Sequence, residues 1–337
     1  MKAEKFSLSA ISRYRTEIMG FMCILIVLFH YKNNMIYPPA LSAVDRLFEF
    51  GNVGVDVFLF VSGIGLYFSF QKSKHLLTFY KKRLIRIILP YVLLCVPYYI
   101  WLNLATGRDL LLLDITQISL PLKGMISTWY LPAITVFYLL FPLIYKLQQQ
   151  KSDTRRVLVT AIACICWTAV LIVMSKVSSE IYHNCEIALT RLIIFMVGCC
   201  FGKFVYDGKK LPWSFVALSA VYILIYPFLY HKLGFTIFKE RLTYVPLAMA
   251  IAFVLAFVFS WLKDNNVIFK VLRFFGERSL EIYITHVLIN NVWAKTVGAR
   301  HFDQYGMLDY VIIVMLALFL SVISHVIIEK TAKLLLK

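Results

Sequence analysis

Apolar runs of about 20 residues recur along almost the whole chain, and short stretches rich in lysine and arginine separate them. Hydrocarbon offers no partners for unpaired backbone groups, so a segment that crosses it forms a helix or part of a closed barrel. The runs are continuous and lack the strict alternation of barrel strands. The 337 residues are 61% hydrophobic, which agrees with a membrane protein. The sequence therefore predicts an all-α polytopic bundle that forms one domain over residues 1–337.

We predict ten transmembrane helices, with ends defined to within several residues. No signal-peptide pattern precedes the first run, so we expect that run to remain as a helix of the mature protein. The predicted spans are 17–35, 51–70, 85–103, 125–146, 156–175, 188–206, 211–231, 243–262, 279–297 and 309–329.

The distribution of basic residues predicts the orientation, because lysine and arginine near span ends are retained in the cytoplasm. If the N-terminus is inside, 24 of the 35 Lys and Arg residues lie in the inner segments. We therefore expect cytoplasmic termini, a multi-pass protein of the cell (inner or cytoplasmic) membrane, and the lipid bilayer as a partner. The sequence leaves open whether the protein forms a homo-oligomer.

The net charge of +17 is spread over alternate loops, which argues against a nucleic-acid partner. The seven cysteines lie mostly inside the predicted spans and behave there as small hydrophobic residues. Their spacing does not match a four-ligand metal site, so we expect neither a metal nor a structural disulfide.

Polar side chains near the outer ends of the spans are the candidate site residues, because ionisable groups at membrane depth usually face a protein interior or a wet cavity. His30 ends the first span, Asp56 enters the second, Trp129 begins the fourth and Arg191 lies near the start of the sixth. His286 lies about two turns into the ninth span. Structural alternatives remain: Trp129 as an interfacial anchor, Asp56 and Arg191 as an ion pair between helices, and His286 as a packing residue.

Arg83 and Arg86 at the inner start of the third span are three residues apart and share one helix face. Such charges commonly reflect only the positive-inside rule or contact with lipid headgroups. A guanidinium pair can also bind the phosphates of an anionic cofactor. The depth of Arg86 favours the second interpretation.

These motifs occur in an order and spacing that resembles the membrane-bound acyltransferase-3 family over almost the whole chain. Each motif is weak alone, and together on ten spans they are fairly specific. They are "ILIVLFHY", "GNVGVDVFLFVSGIGLYF", "KRLIRIILPY", "TWYLPAITVFYLLFPLI", "RLIIFMVGCCFGK", "FGERSLEIYITHVLI" and "VIIEK".

The resemblance implies a cytoplasmic acyl-coenzyme A donor, an extracytoplasmic or lipid-linked glycan acceptor, and His30 as the key catalytic residue. The imidazole can act as a general base on the acceptor hydroxyl or can carry the acyl group itself, and the sequence leaves both open. Asp56 is our choice for the carboxylate that orients it, with Asp45 and Glu49 as substitutes.

On the same resemblance, Arg83 and Arg86 suit the polyanionic end of the coenzyme. We expect Trp129, Arg191 and His286 to contact the acceptor. Acetyl-CoA is the donor that we expect, while succinyl or longer acyl groups and the identity of the glycan stay open.

One position departs from the pattern of the family. Many members carry a basic residue eleven positions before the histidine, where this chain has Met19. Arg15 is about 22 Å below His30 at the helical rise per residue and is our candidate to replace the lost donor contact. Some members continue into an extracytoplasmic esterase-like domain, which we do not expect here because the chain ends eight residues after Glu329.

A transporter or permease without chemistry is the alternative from another class, since ten spans with buried charges can also line a solute path. We find neither clear inverted repeats nor paired broken spans in support of it. A different fold of membrane acyltransferase built around a buried histidine ranks lower, because it does not predict the ordered Arg83 and Asp56 motifs.

Overall fold

A computed structural model describes residues 5–32, 47–72, 75–124, 127–234, 240–262, 266–297 and 307–336. Helices make up nearly all of the described chain, and the exception is a small antiparallel pair of strands, β1 (Lys5–Ser7) and β2 (Lys210–Pro212). The described helices are α1 (Ser9–Arg13), α2 (Arg15–Lys32), α3 (Gly51–Lys72), α4 (Leu76–Pro90), α5 (Val96–Thr106), α6 (Leu111–Ile115), α7 (Ser119–Lys123), α8 (Tyr130–Leu147), α9 (Asp153–Val177), α10 (Ser179–Leu189), α11 (Leu192–Tyr206), α12 (Trp213–Leu233), α13 (Glu240–Trp261), α14 (Val267–Glu277), α15 (Ser279–Thr296) and α16 (Met307–Leu335).

The all-α polytopic architecture predicted from the sequence is confirmed. Eight helical segments of the described chain are long and apolar enough to cross a membrane, and each corresponds to one of the ten predicted spans. The other two predicted spans are present as the 18-residue helices α2 and α15, which carry more polar side chains. The count of ten and the cytoplasmic location of the termini remain predictions.

The third span begins earlier than predicted and is irregular. Its helix runs from Leu76 to Thr106, and a π-helical segment at Tyr91–Cys95 joins α4 to α5. Pro90 cannot donate a backbone hydrogen bond, and the wider π turn takes up the register shift. The earlier start brings Arg83 inside the helix, where the predicted span already placed Arg86.

Helix α3 is the most buried span and crosses α11 at close range. A Cβ on Gly63 would lie 2.7 Å from the Phe195 carbonyl oxygen, and a Cβ on Gly198 would overlap the Phe60 carbonyl. Glycine at both positions lets the two backbones touch, as in other membrane helix pairs. This contact sets the position of Asp56 on α3 relative to Arg191 at the start of α11.

Helix α14 is a short amphipathic helix that the predicted spans did not include. It packs against α2, with Gly20 facing the backbone of α14 and Gly276 facing the backbone of α2. The buried Glu17 carboxylate pairs with Arg273 at 2.6 Å. The start of α2, including Arg15, is therefore held by a neighbouring helix as well as by the bilayer.

Candidate functional site

Two adjoining cavities lie along α2 and α15. The first, of about 430 Å³, is lined by the ends of α2 and α3, the turn before α8, and α15. We call it the histidine cavity, because His30 and His286 both line it. Its other polar lining residues are Asn52, Ser127, Trp129, Arg191, Arg241, Asn290 and Asn291.

His30 and His286 face each other in this cavity. Their ring centroids are 5.0 Å apart, and His286 Nε2 lies 3.4 Å from His30 Nδ1. His30 Nδ1 is 2.9 Å from the Ile26 carbonyl, and His286 Nδ1 is 2.8 Å from the Ile282 carbonyl. A carbonyl can only accept, so each neutral ring carries its proton on Nδ1. That tautomer makes Nε2 the basic nitrogen of His30.

Asp56 contacts Arg191 rather than the histidine pair. Arg191 donates from Nε to the Asp56 carboxylate at 3.2 Å, and both side chains are buried. The same guanidinium lies over the Trp129 ring, with Cζ 4.9 Å from the centroid. Asp56 thus positions Arg191 through an ion pair, and Arg191 contacts the Trp129 ring through its guanidinium group. The second carboxylate oxygen of Asp56 has no hydrogen-bond partner among the described residues.

The structure gives a contact for one of the two substitutes for Asp56. Glu49 lies 2.8 Å from His231 Nε2 in a partly exposed pair. Asp45 lies outside the described residues. The predicted role of Asp56 as the orienting group of His30 stays a prediction.

The turn that carries Trp129 is tied down from several helices. Tyr99 and Thr128 hydroxyls are 2.5 Å apart, Tyr283 donates to the Ser127 carbonyl at 3.3 Å, and Asn291 donates to the Ser127 hydroxyl. These bonds reach the turn from α5 and α15. They fix one wall of the histidine cavity.

The second cavity, of about 300 Å³, lies beside the N-terminal half of α2 and is lined by Arg15, Arg83 and Arg86. We call it the arginine cavity. The Nε atoms of Arg15 and Arg83 are buried and have no hydrogen-bond partner in the described part of the chain. A Cβ on Gly65 would lie 3.3 Å from the Arg15 guanidinium, so this glycine leaves room for the charge. Met19, which replaces the usual basic residue, lines the same cavity.

The arginine cavity also contains acidic groups, and each contacts a basic side chain. Glu281 is 3.0 Å from Nδ1 of His325, which lines the same cavity. Glu277 and Glu329, which line the cavity too, pair with the neighbouring Arg278 and Lys333.

The structure thus groups the predicted residues into two sets. His30, His286, Trp129 and Arg191 line the histidine cavity, with Asp56 immediately behind Arg191, and the three arginines share the other cavity. Sequence reasoning missed a further set of lining residues. They are Asn52, Val55, Arg241, Tyr283, Asn290 and Asn291.

Part of that set carried a signal in the sequence. Asn290 and Asn291 are adjacent amides inside a predicted span, which is costly without a polar cavity. Val55 and Tyr283 resemble ordinary apolar packing residues, and only the fold places them between the two cavities.

The fold and the two cavities define a polytopic helical membrane protein whose polar site is built inside the bundle. The family model for an acyltransferase domain matches residues 20–328, and this chain belongs to that acyltransferase-3 family. The predicted family is thereby confirmed, and an acyl-transfer activity is supported in general. No curated protein and no solved structure matched the chain.

Proposed function

We propose that the protein is an O-acyltransferase that moves an acetyl group from cytoplasmic acetyl-CoA to a hydroxyl of an extracytoplasmic or lipid-linked glycan. The observation that carries this proposal is the adjacency of the two cavities, one rich in arginine and one built around paired histidines. The orientation from the basic residues puts the arginine cavity on the cytoplasmic side. The protein then works in the cell membrane, between an inner donor and an outer acceptor.

The chemistry of the arginine cavity supports a polyanionic donor. Arginine binds phosphate through paired, charge-assisted hydrogen bonds, and Arg15 and Arg83 have buried Nε atoms ready to donate. Arg15 and His30 are about 22 Å apart along α2. The donor therefore needs an anionic end and a long arm, which acyl-CoA has.

The geometry of His30 supports a role in proton transfer. The acceptor hydroxyl oxygen attacks the thioester carbonyl carbon while its proton passes to Nε2 of His30. The new C–O bond forms as the C–S bond breaks, and the coenzyme leaves as a thiolate that takes up a proton. Nε2 of His286 accepts from the Nδ1–H of His30, so Nε2 of His30 remains the basic atom.

An acyl-histidine relay would use the same atom differently. His30 Nε2 would attack the thioester carbonyl, and the C–S bond would break with loss of the coenzyme thiolate. The acceptor hydroxyl oxygen would then attack the acyl carbon, the N–C bond would break, and the hydroxyl proton would pass to Nε2. Incubation with labelled acetyl-CoA and no acceptor separates the two mechanisms, because only the relay leaves label on the protein that is lost in His30→Ala.

The histidine cavity has the groups that sugar binding needs. Trp129 lines the cavity with an aromatic ring, and the Arg191 guanidinium lies over that ring. Amide side chains at Asn52, Asn290 and Asn291 can donate to and accept from hydroxyls. A hydroxyl-rich acceptor fits this lining.

The test uses membranes of the source cells, which hold the natural acceptor, after deletion of the gene and complementation. With labelled acetyl-CoA, the parent protein should acetylate a membrane glycan, and His30→Ala should lower the rate by about 10²–10⁴-fold. His183→Ala is the matched control, because His183 is an exposed histidine that lines neither cavity. Equal transfer by His30→Ala at equal protein level would refute the proposal.

A permease would behave differently in the same system. In proteoliposomes that contain no acyl donor, it would move solute across the membrane. In the complemented membranes, the parent protein and His30→Ala would then give the same level of labelled acetyl transfer. The family match and the paired histidines favour the enzyme.

A further inference from the structure

Val55 of α3 and Tyr283 of α15 lie at the boundary between the two cavities. Among the residues that the structure describes, these two line both the arginine cavity and the histidine cavity. Both side chains are buried. We call this pair the wall between the cavities.

Tyr283 is held in this wall from both sides. Its ring centroid is 5.4 Å from that of Tyr130, which lines the arginine cavity, and 5.9 Å from that of His286. Its hydroxyl donates to the Ser127 carbonyl at 3.3 Å. A ring with aromatic contacts on each side and a fixed hydroxyl has little freedom to move.

Val55 is held by its backbone. A Cβ on the preceding Gly54 would lie 2.5 Å from the Ile26 side chain, so α3 and α2 are in close contact at this level. A β-branched side chain also has a restricted χ1 angle. Both halves of the wall are therefore rigid.

We propose that Val55 and Tyr283 set the size of the acyl group that the protein transfers. This inference rests on the proposed function, in which a thioester from the arginine cavity meets the acceptor hydroxyl at His30. In this arrangement the thioester lies at the wall with its carbonyl carbon toward His30, and its acyl group packs against the Val55 and Tyr283 side chains. A small acyl group fits that space, and each added methylene collides with a rigid wall.

The experiment compares acetyl-, propionyl- and butyryl-CoA as labelled donors in membranes of the complemented deletion cells. Val55→Ala removes both methyl groups from the wall and should raise the rate with butyryl-CoA relative to acetyl-CoA by roughly tenfold or more. Val55→Ile adds a methyl group and should lower the propionyl-to-acetyl ratio. A ratio within one preparation does not depend on the amount of folded protein.

Val57→Ala is the matched control, because Val57 is a fully buried valine of α3 that lines neither cavity. Its donor ratios should equal those of the parent. If acetyl transfer depends on His30 but both Val55 variants keep the donor ratios of the parent, the acyl-size inference is overturned and the proposed function stands. No transfer by the parent protein would overturn the proposed function and this inference with it.

Discussion

The buried ion pair between Asp56 and Arg191 links three elements of the histidine cavity, and its removal gives the sharpest structural test. Asp56→Asn keeps the shape of the side chain and leaves the Arg191 guanidinium buried without its counter-charge. Arg191→Gln leaves the Asp56 carboxylate buried without its counter-charge. The double variant removes both charges.

The magnitude follows from the geometry. At 3.2 Å and an effective dielectric constant of about 20, the attraction between the two charges is about 5 kcal/mol. Desolvation offsets much of that gain, so the pair adds little over two neutral residues. Loss of one partner leaves a buried charge, which costs about 3–5 kcal/mol. We therefore expect each single variant to be less stable than the double variant.

The assay is a double-mutant cycle on the free energy of unfolding, measured by SDS titration in mixed micelles. The chain has six tryptophans, so the fluorescence of Trp129, whose ring lies under the Arg191 guanidinium, is read in a background with the other five replaced by phenylalanine. Asp207→Asn is the control, since the Lys203 pair of Asp207 is part-exposed and should contribute about 0.3–0.5 kcal/mol. Single effects that simply add in the double variant would refute the reasoning.

Two further predictions follow from the cavities and the helix packing. Arg83→Gln with Arg86→Gln should raise the KM for acetyl-CoA by about tenfold or more, and Arg15→Gln should act in the same direction, because in the proposed function each arginine donates charge-assisted hydrogen bonds to the donor. An unchanged donor KM in initial-rate assays would contradict this prediction. Gly198→Ala should lower the free energy of unfolding in SDS by about 1–3 kcal/mol, because the new Cβ overlaps the Phe60 carbonyl. Equal stability of the variant and the parent would show that α3 and α11 can separate without cost.

The apolar runs were sufficient to predict the helical spans. Length and hydropathy alone identify a segment such as 153–177, because a membrane constrains composition so strongly. The same rule is weakest for α2 and α15, whose polar residues line the cavities. Those two helices carry His30 and His286, so the least typical spans proved to be the most informative ones.

The pairing of side chains could not be predicted in the same way. Sequence spacing puts Arg83 and Arg86 on one face, but the approach of Arg15 depends on the space that Gly65 leaves. Likewise, His30 and His286 are 256 positions apart, and only the packing of α15 against α2 brings them together. Long-range geometry of this kind has no local signal in the sequence.

The charges of the two cavities differ in a way that agrees with the ligand proposed for each. In the histidine cavity, Arg191 pairs with Asp56 and Arg241 pairs with Glu186 at 3.1 Å, so the fixed charges largely cancel. A neutral, hydroxyl-rich molecule loses little on entering such a site.

The arginine cavity has the opposite balance. Glu277 and Glu329 pair with Arg278 and Lys333, and Glu281 contacts His325, whereas none of the three cavity arginines forms an ion pair within the described residues. Uncompensated guanidinium groups in a cavity favour an anion strongly, because the low local dielectric strengthens the attraction. A charged donor and a neutral acceptor would thus enter from different cavities and meet at the wall beside His30.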